Sequence, residues 1–533
     1  MTLRAVLSTK VRPVTALSIA ALALSACATT GGGGDAAADP EAPATLTIAT
    51  SFAIDDLDPL ENAFWGPEFG YVELLMRPTR EGTPEPWVLS DLQSTDDTTW
   101  TLTLNEGVAF TDGAGFDARA LADLLTWTAE NVDSFASASA LASAEVTGQD
   151  EVTVTTSRPV PTLASVFADE SMVPVFDVAG YEDHLAAGDA PSALVDADLY
   201  TGPYAVQSLD DQAAELVPVA GYWGGTPALS ALTVKFVPEA SSRVQAVQTG
   251  EADLALYMPT AIEQTLEGRD DAVWVTGEPT GSTFSLSFNT RSPGWDDPAV
   301  RTAALLAVDY RALVEDVLDG LADTATSVFA PSLPYAVDTQ ETALAAAADQ
   351  LEAAGWTAGA GAGADGTRTR DGVPLTLRLL SYPQQPDSTT LAEALQVQLG
   401  EVGIDVQVSQ VDDVTAAREG SDWDAAIVGD SLVSFGGSPV EGLTDGLVTG
   451  GSENYGGVSD ATLDDLVARL SVSFDDAERT DLLERIQTVI HDQGYFAATV
   501  LRLPAVVSNQ AWSGYETPIS NLWVTADTAP AAA

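Results

Sequence analysis

One cysteine and two histidines are all the soft metal ligands that 533 residues contain. Cys27 cannot close a disulfide within the chain, and with only His184 and His491 beside it no zinc site of ordinary spacing can be assembled. A Cys/His nucleophile pair would need Cys27 to meet a histidine more than 150 positions away. Positive charge is equally scarce: 21 basic residues stand against 79 acidic ones, a formal net of −58. Such a surface repels nucleic acid and gains nothing from anionic lipid headgroups, so neither is a partner through charge. The acids themselves read as a solvated, aggregation-resistant surface. No apolar run is long enough for a permanent membrane helix, which needs about 20 residues. The GxSxG, HExxH, SxxK and P-loop patterns are missing from any usable context.

What is present begins with an export signal. Arg4, Lys10 and Arg12 precede the uncharged VTALSIAALALSA, and a Gly/Ala/Asp/Pro tract follows at once, leaving this apolar core nothing to pack against. Leu24-Ser25-Ala26-Cys27 is similar to the bacterial lipobox. That resemblance makes Cys27 the acyl acceptor and first mature residue, with residues 1–26 as signal and 27–44 as lipidated cysteine and flexible tether. The expected location is outside the cell, held by lipid to the outer face of the cell membrane.

Hydrophobic residues at 45% allow large cores, and roughly 490 mature residues suggest two or three domains. TLTIATSF alternates as a strand does. TTWTLTLNEGVAF reads as two strands around Asn105-Glu106-Gly107, and Asp117 caps a helix over ARALADLLTWTAENV. Further strand signal lies at EVTVTTSRPV, YAVQSL, AELVPV and LTVKFVP. Asp297-Pro298 opens a helix, Asp309 caps the next and Gly320 ends it. VPLTLRLLSY, a helix over LAEALQVQLGEVG, and IDVQVSQV form a strand, helix, strand unit, which implies a parallel pair. WDAAIVG adds a buried strand. The interleaving has no fixed period, so the class is mixed α/β.

WTLTLNEGVAFTDGAGFDARAL, the GPY, YWGG and GE-D elements within residues 201–255, and SLSFNTRSPGWDDPAVRTAALLAVDYRALVEDVLDG stand in an order that resembles the family 5 extracellular solute-binding proteins, the dipeptide, oligopeptide and nickel receptors of ABC importers. The likeness runs from about residue 45 to 525. It implies a bilobal periplasmic-binding-protein-like fold of type II with an extra inserted domain and a ligand cleft between the lobes. Residues 45–75, 200–282 and 503–525 would build the first lobe, 76–199 the inserted smaller domain and 283–502 the second lobe. It implies no enzyme and no cofactor, but a monomer that captures a solute, a peptide first of all, and passes it to permease subunits. A non-peptide solute, oligosaccharide or metal chelate, is the alternative, and a secreted carboxylate-dependent hydrolase is the rival from another class.

Loops after strands that face the cleft are where ligand is expected. On the first lobe these hold Ser51 and Phe52, with Phe64 and Trp65 nearby; on the second, Tyr382 to Gln385, including Gln384, and Asp430 to Phe435, including Ser434. The family's peptide binders commonly use an aspartate for the ligand amine and some an arginine for its carboxylate. Aligned on neighbouring elements, these positions fall near Val433 or Ser434 and at Tyr382, so neither residue type is present, and Asp430 is left to replace the aspartate. Phe64, Trp65 and Trp423 are open to ligand and core readings alike, while Trp295, between a glycine and two aspartates, is expected to pack at a helix entry rather than stack on ligand. Asp55, Asp56 and Asp58 lack the spacing and glycine of a calcium loop.

Overall fold

The alternating strand Ala44–Thr50 buries Leu46 and Ile48 and lies at the centre of a seven-stranded sheet. The computed structural model describes residues 44–79, 83–278, 281–358, 366–429, 431–433, 436–517 and 522–530. Across this sheet the order is Val273–Thr276, Ala505–Ser508, Leu254–Ala255, Ala44–Thr50, Leu229–Phe236, Ala213–Pro218, Tyr204–Leu209. The central strand runs parallel to both its neighbours, and the remaining pairs are antiparallel. The helix Ala240–Thr249 makes the crossover between those two neighbours.

A second sheet of six strands has the order Ala322–Thr324, Phe496–Arg502, Thr283–Phe288, Ala425–Val428, Thr376–Ser381, Asp405–Gln410. The parallel pair read from VPLTLRLLSY and IDVQVSQV is here, joined by the helix Asp387–Glu401, and WDAAIVG supplies its buried neighbour. Its core includes Trp295, which stacks on Phe288 at 5.4 Å and donates its indole N–H to the Thr376 carbonyl. Trp423 is likewise fully buried, so both of these tryptophans are core.

A four-stranded antiparallel sheet, Leu89–Asp96, Thr99–Leu104, Glu151–Thr156 and Leu141–Val146, carries the helix Ala118–Asn131. The hairpin expected around Asn105-Glu106-Gly107 does not form. Thr99–Leu104 pairs with Leu89–Asp96 and Glu151–Thr156 instead, while Val108 and Phe110 turn into the core and only Ala109 bridges Gly115. Burying two large apolar side chains outweighs a short ladder between neighbouring segments.

The caps were legible. Asp117 accepts from the backbone N–H of Arg119 and Ala120, Asp297 from Ala299 ahead of Pro298, and Asp309 from Ala312. Replacing Asp117 with alanine should cost about 1 kcal/mol, visible as a lower urea midpoint with unchanged far-UV dichroism.

The chain passes from one large sheet to the other twice, between Thr276 and Thr283 and between Arg502 and Ala505, and described residues of the two passages are bonded to each other. Gly277 donates its N–H to the Pro504 carbonyl at 2.8 Å, and Arg502 donates its own to Ser282 at 2.7 Å. A Cβ on Gly277 would lie 1.8 Å from Thr517 Oγ1, so the crossing is packed as well as bonded.

Candidate functional site

The loop that leaves the central strand of the first sheet meets the loop after Thr376–Ser381 of the second. Ser51 Oγ donates to the Gln384 carbonyl at 2.8 Å. Gln384 is fixed from behind, its amide donating to the Asp412 carbonyl at 2.7 Å. Tyr382 is buried, and its hydroxyl accepts the Gly429 N–H at 3.1 Å, which ties the ends of two adjacent strands together. Nearby, the Thr260 N–H points at both oxygens of Asp387, 3.2 Å from each. Thus two of the expected residues, Ser51 and Gln384, touch across the lobes.

Behind Ser51 lies a wall of aromatic rings. Phe52 is 5.0 Å from Trp65 and 4.8 Å from Tyr257, and Phe64 is 4.4 Å from Trp65. Tyr257 has a positive φ of 52°, unusual for a bulky residue. The buried Arg243 holds it there by donating to the carbonyls of Val237, Pro238, Leu256 and Tyr257. The Tyr257 hydroxyl reaches Glu68, 3.2 Å from either carboxylate oxygen. Burial pushes Glu68 up to about 8, against the opposing bond from Tyr257. Glu170 is also held well above its ordinary value, first by burial and then by the charges of Glu68 and Asp169.

Between these groups and the crossing segments lies a cavity of about 520 Å³, counted with its open mouth. Tyr257 and Thr260 line it from one lobe, Gln385, Asp387 and Arg502 from the other. Burial raises Asp387 to about 6, while the Thr260 bonds and the Arg502 charge act the other way.

Farther out, the segment 76–199 touches residues 436–471 at a rim. Thr162 Oγ1 donates to Glu441 at 2.8 Å, Gly436 N–H to Asp169 at 3.3 Å, and Arg158 to the Ser471 carbonyl at 3.4 Å. The Asp56 and Asp58 carboxylates are occupied locally: Asp56 accepts from Asp58 and Asn62, and Asp58 from Leu60 and Tyr181. Asp430, Ser434 and Cys27 lie outside the described residues.

Sequence reasoning missed Tyr257, Glu68, Asp387 and Arg502. One signal was available for Arg502: it is the only charged residue between Gly494 and Glu516 in a chain with few cations.

The model of the bacterial extracellular solute-binding proteins, family 5 middle region, matches residues 83–440. The chain belongs to this family. This family 5 receptor is 27% identical over 388 residues to the nickel-binding periplasmic protein of Escherichia coli K12, covering 69% of its own length and 71% of that protein's. It is 25% identical over 460 residues to the glutathione-binding protein GsiB of the same strain, 83% of each chain. Its fold is that of the NikA protein of Staphylococcus aureus in complex with Ni(L-His)2, with a TM-score of 0.78 at 21% identity over 91% of this chain and 99% of that one. The oligopeptide-binding protein AppA of Bacillus subtilis, solved with a nonapeptide, superposes with a TM-score of 0.74 at 18% identity over 90% and 97%. The receptor is therefore a bilobal binding protein of an ABC importer, and its relatives are solute receptors rather than enzymes.

Proposed function

We propose that this receptor is a lipid-anchored monomer that captures a peptide by closing its lobes and delivers it to the membrane permease. The observation that carries the reading is the cavity itself. Polar groups from both lobes line it, so a ligand inside gains contacts that exist only when the lobes meet, and that difference drives closure. The lobes assigned to 45–75, 200–282 and 503–525 and to 283–502, with 76–199 inserted, would turn about the two passages joined by the Gly277–Pro504 and Arg502–Ser282 bonds. In this scheme Ser51, Phe52, Phe64 and Trp65 serve from one lobe and Tyr382 and Gln384 from the other, with Asp430 and Ser434 kept as candidates on the sequence alone. The aromatic wall of Phe52, Trp65 and Tyr257 suits side-chain or backbone stacking, and the Gln384 and Gln385 side-chain oxygens, buried and without a partner, suit amide N–H groups.

A nickel chelate is the second reading, favoured by the nickel-binding relatives. Among the described residues no cluster of three or more histidines, cysteines or acids is placed to hold a metal, so a metal would arrive with its own ligands. Thermal shift against peptides, oligosaccharides and Ni(II)–histidine separates these: a ligand at about 100 times its Kd should add ~2.7 kcal/mol. Turnover of a substrate without any such shift would overturn the receptor reading.

Cys27→Ser should move the protein from the membrane fraction to the medium with unchanged ligand affinity, checked by fractionation and titration. Membrane retention of the variant would refute the anchor.

A further inference from the structure

Among the described residues the Arg502 guanidinium has no counter-ion, in a chain where acids outnumber bases almost four to one. It lies at the end of the strand Phe496–Arg502, where the second lobe hands over to the crossing, and lines the cavity between the lobes. Its backbone N–H is spent on Ser282, and its planar group lies 4.6 Å from the centre of the Phe284 ring. Among the described residues no hydrogen bond or ion pair reaches its side-chain N–H groups. The nearby carboxylate that might have neutralised it, Asp387, is turned instead toward Thr260, which donates both its N–H and its hydroxyl, the latter at 3.3 Å.

The space beside Arg502 is kept open. A Cβ on Gly429 would sit 3.1 Å from Arg502 Nη1 and 2.8 Å from Gln385 Oε1, so both groups border the same small volume. Gln385 Oε1 is buried and unpartnered. The Tyr382 hydroxyl closes the floor by taking the Gly429 N–H. A guanidinium fork and an amide oxygen that no described residue pairs, both facing one cavity, ask for a ligand that brings an anion and an adjacent N–H donor together.

We propose that Arg502 seats a carboxylate of the bound solute, with the Gln385 amide receiving the neighbouring N–H, as the C-terminal residue of a short peptide or an amino-acid chelate presents them. This deepens the receptor reading above and rests on it. Arg502 is then the specificity-determining cation of the cleft, supplied from the crossing strand rather than from the loop after Thr376–Ser381. A carboxylate so bound touches the hinge itself, so its arrival bears directly on closure. The competing view is that Arg502 merely stacks on Phe284 and spends its N–H groups on water.

The test uses the mature, detergent-solubilised chain and calorimetric titration with alanine peptides of two to five residues, each as the free acid and as the C-terminal amide. Ni(II) with L-histidine and Ni(II) with histidinamide form a parallel pair. Free acids are expected to bind at least about tenfold more tightly than amides, since a charge-assisted pair is at stake. Arg502→Met should weaken the free acid to the level of the amide and leave the amide unchanged, and Arg502→Lys should fall between. Thermal melts of both variants control for folding, and Arg502→Lys decides the matter if Arg502→Met is unstable. Equal affinity for acid and amide, or the same loss of both in Arg502→Met, overturns the carboxylate seat while leaving the receptor standing. Binding of only the nickel pair sinks the peptide reading, yet the seat stands if histidine is preferred to histidinamide through Arg502 and falls if not. Failure of every probe to bind refutes the seat and the peptide reading together.

Discussion

Gly436→Leu is expected to weaken ligand capture at least 100-fold while shifting Tm by no more than about 2 °C, a change corresponding to under ~1 kcal/mol in a chain of this size. The reason is geometric. A Cβ at position 436 would lie 1.9 Å from the Ser165 carbonyl oxygen and 2.8 Å from its carbon, both backbone atoms of the facing unit. Separations below 3 Å to backbone cannot be relieved by a rotamer change, so the two faces must part. The glycine is not at a positive φ, where a leucine would be strained. The severe clash is with the facing segment 76–199, so it falls on the state in which that segment meets the second lobe. Disfavouring closure by a few kcal/mol lowers apparent affinity by the matching factor, because only the closed fraction is competent. Titration gives the affinity, and small-angle scattering gives the mechanism: ligand should compact the wild type but not the variant. A Gly436→Leu protein that binds as tightly as the wild type would show that this rim contact is not part of capture.

The rim shows where sequence reading works and where it stops. That Ser51 and Gln384 lie on facing loops was legible because a loop after a buried strand must emerge at a sheet edge, and two such edges face each other in a bilobal fold. The helix caps were legible for a more local reason, since Asp117, Asp297 and Asp309 bond to N–H groups within three residues. Gly436 could not be found this way: its neighbour, Ser165, is far away in the chain and belongs to another sheet's surroundings. The YWGG turn was visible as a motif but not as a device. Tyr222 and Trp223 both donate to the fully buried Glu73, whose own sequence context, YVELLM, reads as ordinary apolar chain. The failed hairpin at 99–110 has the same cause, because strand partners 50 residues away won over neighbours four residues away.

Buried acids set the second large effect: the receptor should be most stable in mildly acidic solution, losing several kcal/mol between pH 5.5 and pH 8.5. Burial raises Glu68 to about 8, Glu73 to about 7 and Asp387 to about 6. Unfolded carboxyls titrate near 4, so between that value and the raised one the folded chain keeps a proton that the unfolded chain has released. Stability then falls as pH rises through this window, at about 1.4 kcal/mol per group and pH unit, until the folded group itself ionises. Repulsion among 79 acids predicts the same direction, so pH dependence alone decides nothing. Salt separates the two. At 1 M NaCl the Debye length is about 3 Å, which quenches surface repulsion but not the cost of ionising a carboxyl out of water. Glu68→Gln mimics the neutral acid and can still accept from the Tyr257 hydroxyl. In 1 M NaCl the Tm of the variant relative to the wild type should therefore rise by several degrees between pH 5.5 and pH 8.5. An identical slope in both proteins would place the pH dependence elsewhere. A slope that vanishes with salt in the wild type would assign it to the surface, and the buried carboxyls would then be ionised at no great cost.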